Sequence, residues 1–212
     1  MFHGFPHPLE ALKSELNGEC AKHGYKKENF GSQWAKISLA FVGDNNAPLT
    51  LAEFGELKSI CRECSASFET TNISIPVKSV SLVEYEWRSL EKISRSKEFE
   101  LTVYHKEATN DAIEISTEQL SKTKKVLSEW DEEATYLENV NLPAAPYRSA
   151  PVISNPQQSN GLTCVAFLDV QSVPTIWQSI CDLRKKVEDQ FKGRYEWLKD
   201  DSLHCTIRAM DR

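Results

Sequence analysis

Ser202-Leu203-His204-Cys205-Thr206-Ile207-Arg208, close to the end of a 212-residue chain, is the stretch from which the fold is read. A strand turns successive side chains to opposite faces, so Leu203, Cys205 and Ile207 share an apolar face. His204 and Thr206 share the polar face, with Arg208 next along it at the same period. The apolar face suits a core. The polar face carries an imidazole two residues from a hydroxyl, a pair able to exchange a proton with a phosphate ester and to hold one of its oxygens.

The pattern has an echo nearer the start. In Trp34-Ala35-Lys36-Ile37-Ser38-Leu39-Ala40-Phe41-Val42-Gly43, Ile37, Leu39 and Phe41 form one face and Lys36, Ser38 and Ala40 the other. Lys36-Ile37-Ser38 stands where the later copy has His204-Cys205-Thr206. An amphipathic helix precedes each copy: Leu9, Leu12, Leu16 and Cys20 before the first, and Ile176, Ile180, Leu183, Val187 and Phe191 before the second. Two related α–β units are expected, with polar strand faces meeting across a cleft.

Between these units the punctuation is local. Pro8 opens the first helix. Thr50-Leu51-Ala52-Glu53 has the form of a capping box and starts a helix through Cys61 and Cys64. Ile73, Ile75 and Val77 alternate, with Pro76 confining that strand to an edge or bulge. Val80 to Tyr85 continues as strand, and Phe99, Leu101 and Val103 mark another. Ser116 to Asn139 reads as a charged helix, and Asn141 to Asn160, with four prolines, as a linker or long surface loop. Leu162 to Leu168 is the opening strand of the second unit, and Pro174 starts its helix. The expected division is 1–105 as a first α/β lobe, 106–160 as helix and linker, and 161–212 as a second α/β lobe.

A formal charge of −6 argues against a protein that coats nucleic acid electrostatically. No apolar run approaches the roughly 18 residues needed to cross a bilayer. The opening Met1-Phe2-His3-Gly4-Phe5-Pro6-His7-Pro8 lacks the basic start and apolar stretch of a signal peptide. With six cysteines and no leader, reduced thiols in the cytoplasm or nucleus are expected. Cys61 and Cys64 have CxxC spacing without a second pair, which favours core residues over a metal or redox site.

On residues 34–43 with the helix and strands that follow, and on 162–212 leading into His204-Cys205-Thr206, the chain resembles the two-histidine (2H, LigT-like) phosphoesterase superfamily of RNA 2′,3′-cyclic phosphodiesterases and related RNA ligases. The resemblance implies an α+β, two-lobed fold, with antiparallel sheets lining a cleft and helices packed outside. It implies metal-independent hydrolysis of a 2′,3′-cyclic phosphate or related RNA or nucleotide phosphodiester, with no cofactor. Members face two His-x-Thr/Ser signatures across the cleft: one imidazole is general base, the other protonates the leaving oxygen, and the hydroxyls bind phosphate. Carried over by position, His204 and Thr206 are catalytic, while Lys36 and Ser38 bind the substrate phosphate; Arg208, on the His204 face by period, could pair with the same phosphate or with an acidic residue.

This sequence departs from that pattern at Lys36, which replaces a histidine. A lysine with an ordinary pKa near ~10.4 neutralises phosphate but is a poor proton shuttle at pH 7. The chain also ends six residues after Thr206. A rearranged fold, a homodimer in which another chain completes the C-terminal lobe, and a truncated lobe all accommodate that ending. Two other functions compete with the phosphoesterase: a silent descendant that binds RNA or nucleotides, and an interaction protein using the 116–139 helix and the Pro-rich 141–160 segment. Trp34 and Trp197 could stack on bases, though core or rim roles are commoner for such residues. His3 and His7 lack evident co-ligands, and His105 lacks a hydroxyl two residues on.

Overall fold

Thr50 starts a helix because its hydroxyl accepts the Glu53 backbone N–H, while the Glu53 carboxylate accepts the Thr50 N–H at 2.7 Å. Equivalent local chemistry sets the other helices of the computed structural model, which describes residues 5, 7–28, 35–43, 49–68, 73–101, 116–128 and 160–210. Helix α1 (His7–Lys22) ends before Gly24, whose φ of +76° is open to glycine at little steric cost. Helix α2 (Leu51–Ser65) follows the Thr50 cap. Helix α3 (Thr117–Ser128) is capped by Ser116, whose hydroxyl accepts the Gln119 N–H at 3.1 Å. Helix α4 (Pro174–Gln190) carries Pro174 in its first turn, where the missing N–H has no intrahelical acceptor to lose.

The strands are β1 (Ala40–Val42), β2 (Ser79–Tyr85), β3 (Ile93–Glu100), β4 (Gly161–Phe167), β5 (Tyr195–Trp197) and β6 (His204–Ala209). Among the described residues they form two antiparallel sheets: β1 with β5, and a four-stranded sheet in the order β3-β2-β4-β6. The protein is therefore of α+β class. Each sheet draws strands from both halves of the chain, and α2 packs against α4. The halves 1–105 and 161–212 thus meet within both sheets, β3-β2 beside β4-β6 and β1 beside β5.

The larger sheet has two unlike faces. Behind it, Val80, Cys164, Ala166, Leu203, Cys205 and Ile207 join Leu9 of α1 and Ile180 of α4 in the main core. In front lies a smaller cluster of Val83, Leu90 and Val165, with Tyr85 and Phe167 packed against it. Val83 and Val165 are wholly buried.

Two sequence expectations change here. Residues 35–39 take no strand conformation; only Ala40–Val42 pairs, and with β5 rather than β6. Ile73, Ile75 and Val77 alternate in burial without joining a sheet, consistent with the donor missing at Pro76. Residues 129–139 of the expected charged helix, the 141–159 linker, and Val103 lie outside the described residues. No helix among those described is long and apolar enough to cross a membrane.

Candidate functional site

Register fixes which side chains share a face. His204 stands opposite Phe167, Cys205 opposite Ala166, and Thr206 opposite Val165. Ala166 belongs to the rear core, so Cys205 does too, and His204 and Thr206 point forward with Val165 and Phe167. Leu203, Cys205 and Ile207 are buried behind them, as the alternation required, while His204 and Thr206 are only partly buried.

The His204 ring is anchored. Its Nδ1 lies 2.7 Å from the Ser202 carbonyl oxygen, which can only accept, so Nδ1 carries the proton and Nε2 keeps its lone pair. The Phe167 ring meets it edge-on, with centroids 6.2 Å apart. Burial pushes the imidazole below its ordinary pKa of 6.5, with the Ser202 carbonyl acting in the opposite direction. At neutral pH His204 is therefore an uncharged base with a fixed tautomer. Thr206 supplies a hydroxyl about 6.6 Å further along the same face.

Phe167 and Ser202, the partners of the His204 ring, also line a cavity of about 260 Å³ with Leu90, Glu91, Lys199 and Asp201; neither His204 nor Thr206 is in that lining. The β2–β3 connection builds one wall: Leu90 takes a left-handed φ of +57° and buries its side chain against the front cluster. Glu91 accepts the Lys199 backbone N–H at 3.2 Å, tying that wall to the segment leading into β6. The lining thus mixes one cation with two carboxylates. The sequence pattern did not single out Phe167, Leu90, Glu91, Lys199 or Asp201. Only the Trp197–Ser202 approach to the strand hinted at any of them, because the reach of the β2–β3 connection depends on the sheet register.

Arg208 does not share the His204 face. Thr206 pairs with Val165 and Arg208 with Cys164, leaving Ile207 as an extra residue on β6, a β-bulge. The bulge resets the alternation, and Arg208 turns to the rear, where its Nη2 donates to the Lys26 carbonyl at 2.5 Å. The Ile207 carbonyl is taken by Lys13 Nζ of α1 at 2.5 Å.

Lys36 and Ser38 are not on a strand neighbouring β6 with their polar face turned to the cleft. The Lys36 backbone N–H points to the Cys205 thiol, on the rear of β6, and its side chain is exposed. Ile37 between them packs into the rear core. The Lys-x-Ser stretch thus meets β6 at its rear, while His204 and Thr206 of β6 face forward. The physical reason is the absence of a ladder at 35–39 to hold the expected pleat.

Trp197 has structural partners: its Nε1 donates to Glu188 at 2.6 Å, and the Arg184 guanidinium lies 5.6 Å from its ring centre. Burial pushes the Cys61 thiol up to about 11, as suits a core cysteine. No metal-binding group of three or more His, Cys, Asp or Glu occurs among the described residues. Trp34, His3 and His105 lie outside the described residues, as does the side chain of His7. No family model, no curated protein and no solved structure matches the chain.

Proposed function

We propose that this chain is a 2H-type phosphoesterase-like protein, two-lobed in the sense of that fold, that engages a 2′,3′-cyclic phosphate or related RNA or nucleotide diester at His204 and Thr206. The observation carrying this reading is the anchored, neutral imidazole of His204, on the same strand face as the Thr206 hydroxyl, with Phe167 and Ser202 between it and a cavity. Nε2 accepts a proton from water as its oxygen bonds to phosphorus, one ring P–O bond breaks with the freed oxygen taking a proton from solvent, and Thr206 donates to a non-bridging phosphate oxygen. The lining of Lys199, Glu91 and Asp201 suits a monoanionic cyclic diester better than a dianionic monoester.

The position of Lys36 favours a second reading, in which the site binds such a ligand without turning it over. With Lys36 approaching β6 from the rear, the leaving oxygen lacks the second proton donor that the resemblance implies.

Hydrolysis of nucleoside 2′,3′-cyclic phosphates by the wild type, with and without chelator, separates the two. Turnover that survives the chelator and falls about 10²–10⁴-fold in His204→Ala supports the enzyme. Binding without turnover supports the silent form. Turnover indifferent to His204 contradicts the mechanism.

A further inference from the structure

The tautomer of His204 depends on one peptide unit, the one joining Ser202 to Leu203. Its carbonyl meets His204 Nδ1 at 2.7 Å, and its N–H donates to the Asp200 carbonyl at 3.4 Å. A trans peptide is planar with its C=O and N–H pointing opposite ways, so holding the N–H end aims the carbonyl. Asp200 opens the short 3₁₀ turn Asp200–Ser202, and both of its carboxylate oxygens are engaged. Oδ1 accepts from Arg184 Nη2 at 2.6 Å, and Oδ2 from Gln171 Nε2 at 3.4 Å.

Arg184 belongs to α4. Its guanidinium lies 5.6 Å from the ring centres of both Trp177 and Trp197, within cation–π range. Its Nε is buried without an acceptor, so Asp200 is the one acceptor this guanidinium has among the described residues. The side chains of the pair are 22% and 33% exposed, against 76% and 65% for the Lys185–Asp189 pair one residue along the helix. The Arg184–Asp200 pair is therefore the less screened of the two. Two aromatic rings hold the cation, the cation holds Asp200, and Asp200 holds the peptide that faces His204.

We propose that Arg184 is a positioning residue for His204: its ion pair with Asp200 fixes the 202–203 peptide, so that the ring proton stays on Nδ1 and Nε2 keeps its lone pair. The use of that lone pair as a base rests on the function proposed above, whereas the tautomer is set by the fold with no ligand bound. Without the ion pair, the Gln171 contact at 3.4 Å is a weak hold on the turn. The Ser202 carbonyl then leaves Nδ1, and the proton is shared between the two ring nitrogens.

The test follows the 15N shifts of the His204 ring in ligand-free protein labelled with 15N-histidine, at about pH 8, where the imidazole is neutral. The wild-type ring should carry its proton on Nδ1. Arg184→Met should lower the ratio of Nδ1–H to Nε2–H forms about five- to ten-fold, the loss of one hydrogen bond. Asp200→Ala, at a carboxylate 33% exposed, should do the same and serves where Arg184→Met does not fold. The two together should lower the ratio no further than either alone, because one line of contacts is broken twice. Arg184→Lys, which keeps the charge, should restore most of the ratio, and Lys185→Met should leave it at the wild-type value. A wild-type ring protonated on Nε2, an unaltered ratio in Asp200→Ala, additive losses in the double variant, or an equal loss in Lys185→Met overturns the proposal. No cyclic phosphate enters this test, so a chain that binds none yet loses the Nδ1 proton in Arg184→Met supports the positioning role while the phosphoesterase reading fails.

Discussion

Residues 35–42 and 203–209 are written in the same apolar–polar alternation, yet they end in different company. The later stretch lies against β4 for its whole length, so its pleat is held and His204 and Thr206 share one face. The earlier stretch pairs only through Ala40–Val42, with β5, and its Lys36–Ser38 part runs behind β6. Alternation states which side chains could share a face; a hydrogen-bonded neighbour decides whether they do. Even the well-paired copy keeps its alternation only as far as the bulge at Ile207.

The largest effect that sharpens this contrast lies in the apolar members of the two stretches. Ile207 is wholly buried between sheet and helices, while Ile37 is only partly buried. Ile207→Ala should lower unfolding free energy by about 3–4 kcal/mol, and Ile37→Ala by about 1 kcal/mol, measured by urea denaturation. Equal losses would mean that both stretches are held alike.

The two lysines near β6 give the next test. Lys13 is buried with Glu28 and also donates to the bulged Ile207 carbonyl. Lys13→Met leaves the largely buried Glu28 carboxylate without its charge partner and the Ile207 carbonyl without this donor, and should be destabilising by about 3 kcal/mol. Lys36→Met, at an exposed side chain, should stay within about 0.5 kcal/mol of wild type. A costly Lys36→Met would place that side chain in an interaction other than the one described.

A smaller effect is the pH dependence set by His204. Its folded pKa lies below the ordinary 6.5, so between these values the unfolded chain binds more protons and stability rises with pH. This contribution is complete above about 6.5 and is lost as pH falls through the folded value. His204→Gln should flatten that part of the stability profile, read from denaturation midpoints between pH 7.5 and 5. An unchanged slope would show that His204 is not desolvated.

Much of this fold could be read residue by residue. The Thr50–Glu53 box, the Ser116 cap, Pro174 at the head of α4 and the faces of Leu203 to Thr206 all follow from local chemistry, and each occurs as expected. What escaped the sequence was set by partners far along the chain. The bulge that turns Arg208 depends on where Cys164 and Val165 fall in the β4 register. The Leu90–Glu91 wall depends on a connection folding back over the front of the sheet. The joining of the halves into one sheet depends on β2 pairing with β4, roughly 80 residues later, and no periodicity within either strand encodes that choice.

The central claim is that His204 and Thr206 alone form the ligand-facing part of β6, with Lys36 and Arg208 turned elsewhere. It is tested most directly by titrating adenosine 2′,3′-cyclic phosphate into protein labelled with 15N-histidine, observing the His204 Nε2 resonance in wild type, Thr206→Val and Lys36→Ala. The account predicts a saturable shift in wild type, the same Kd in Lys36→Ala, and an affinity reduced about ten-fold in Thr206→Val by the loss of one hydrogen bond to a charged oxygen. A silent His204 resonance, or binding that is abolished in Lys36→Ala and intact in Thr206→Val, would contradict it.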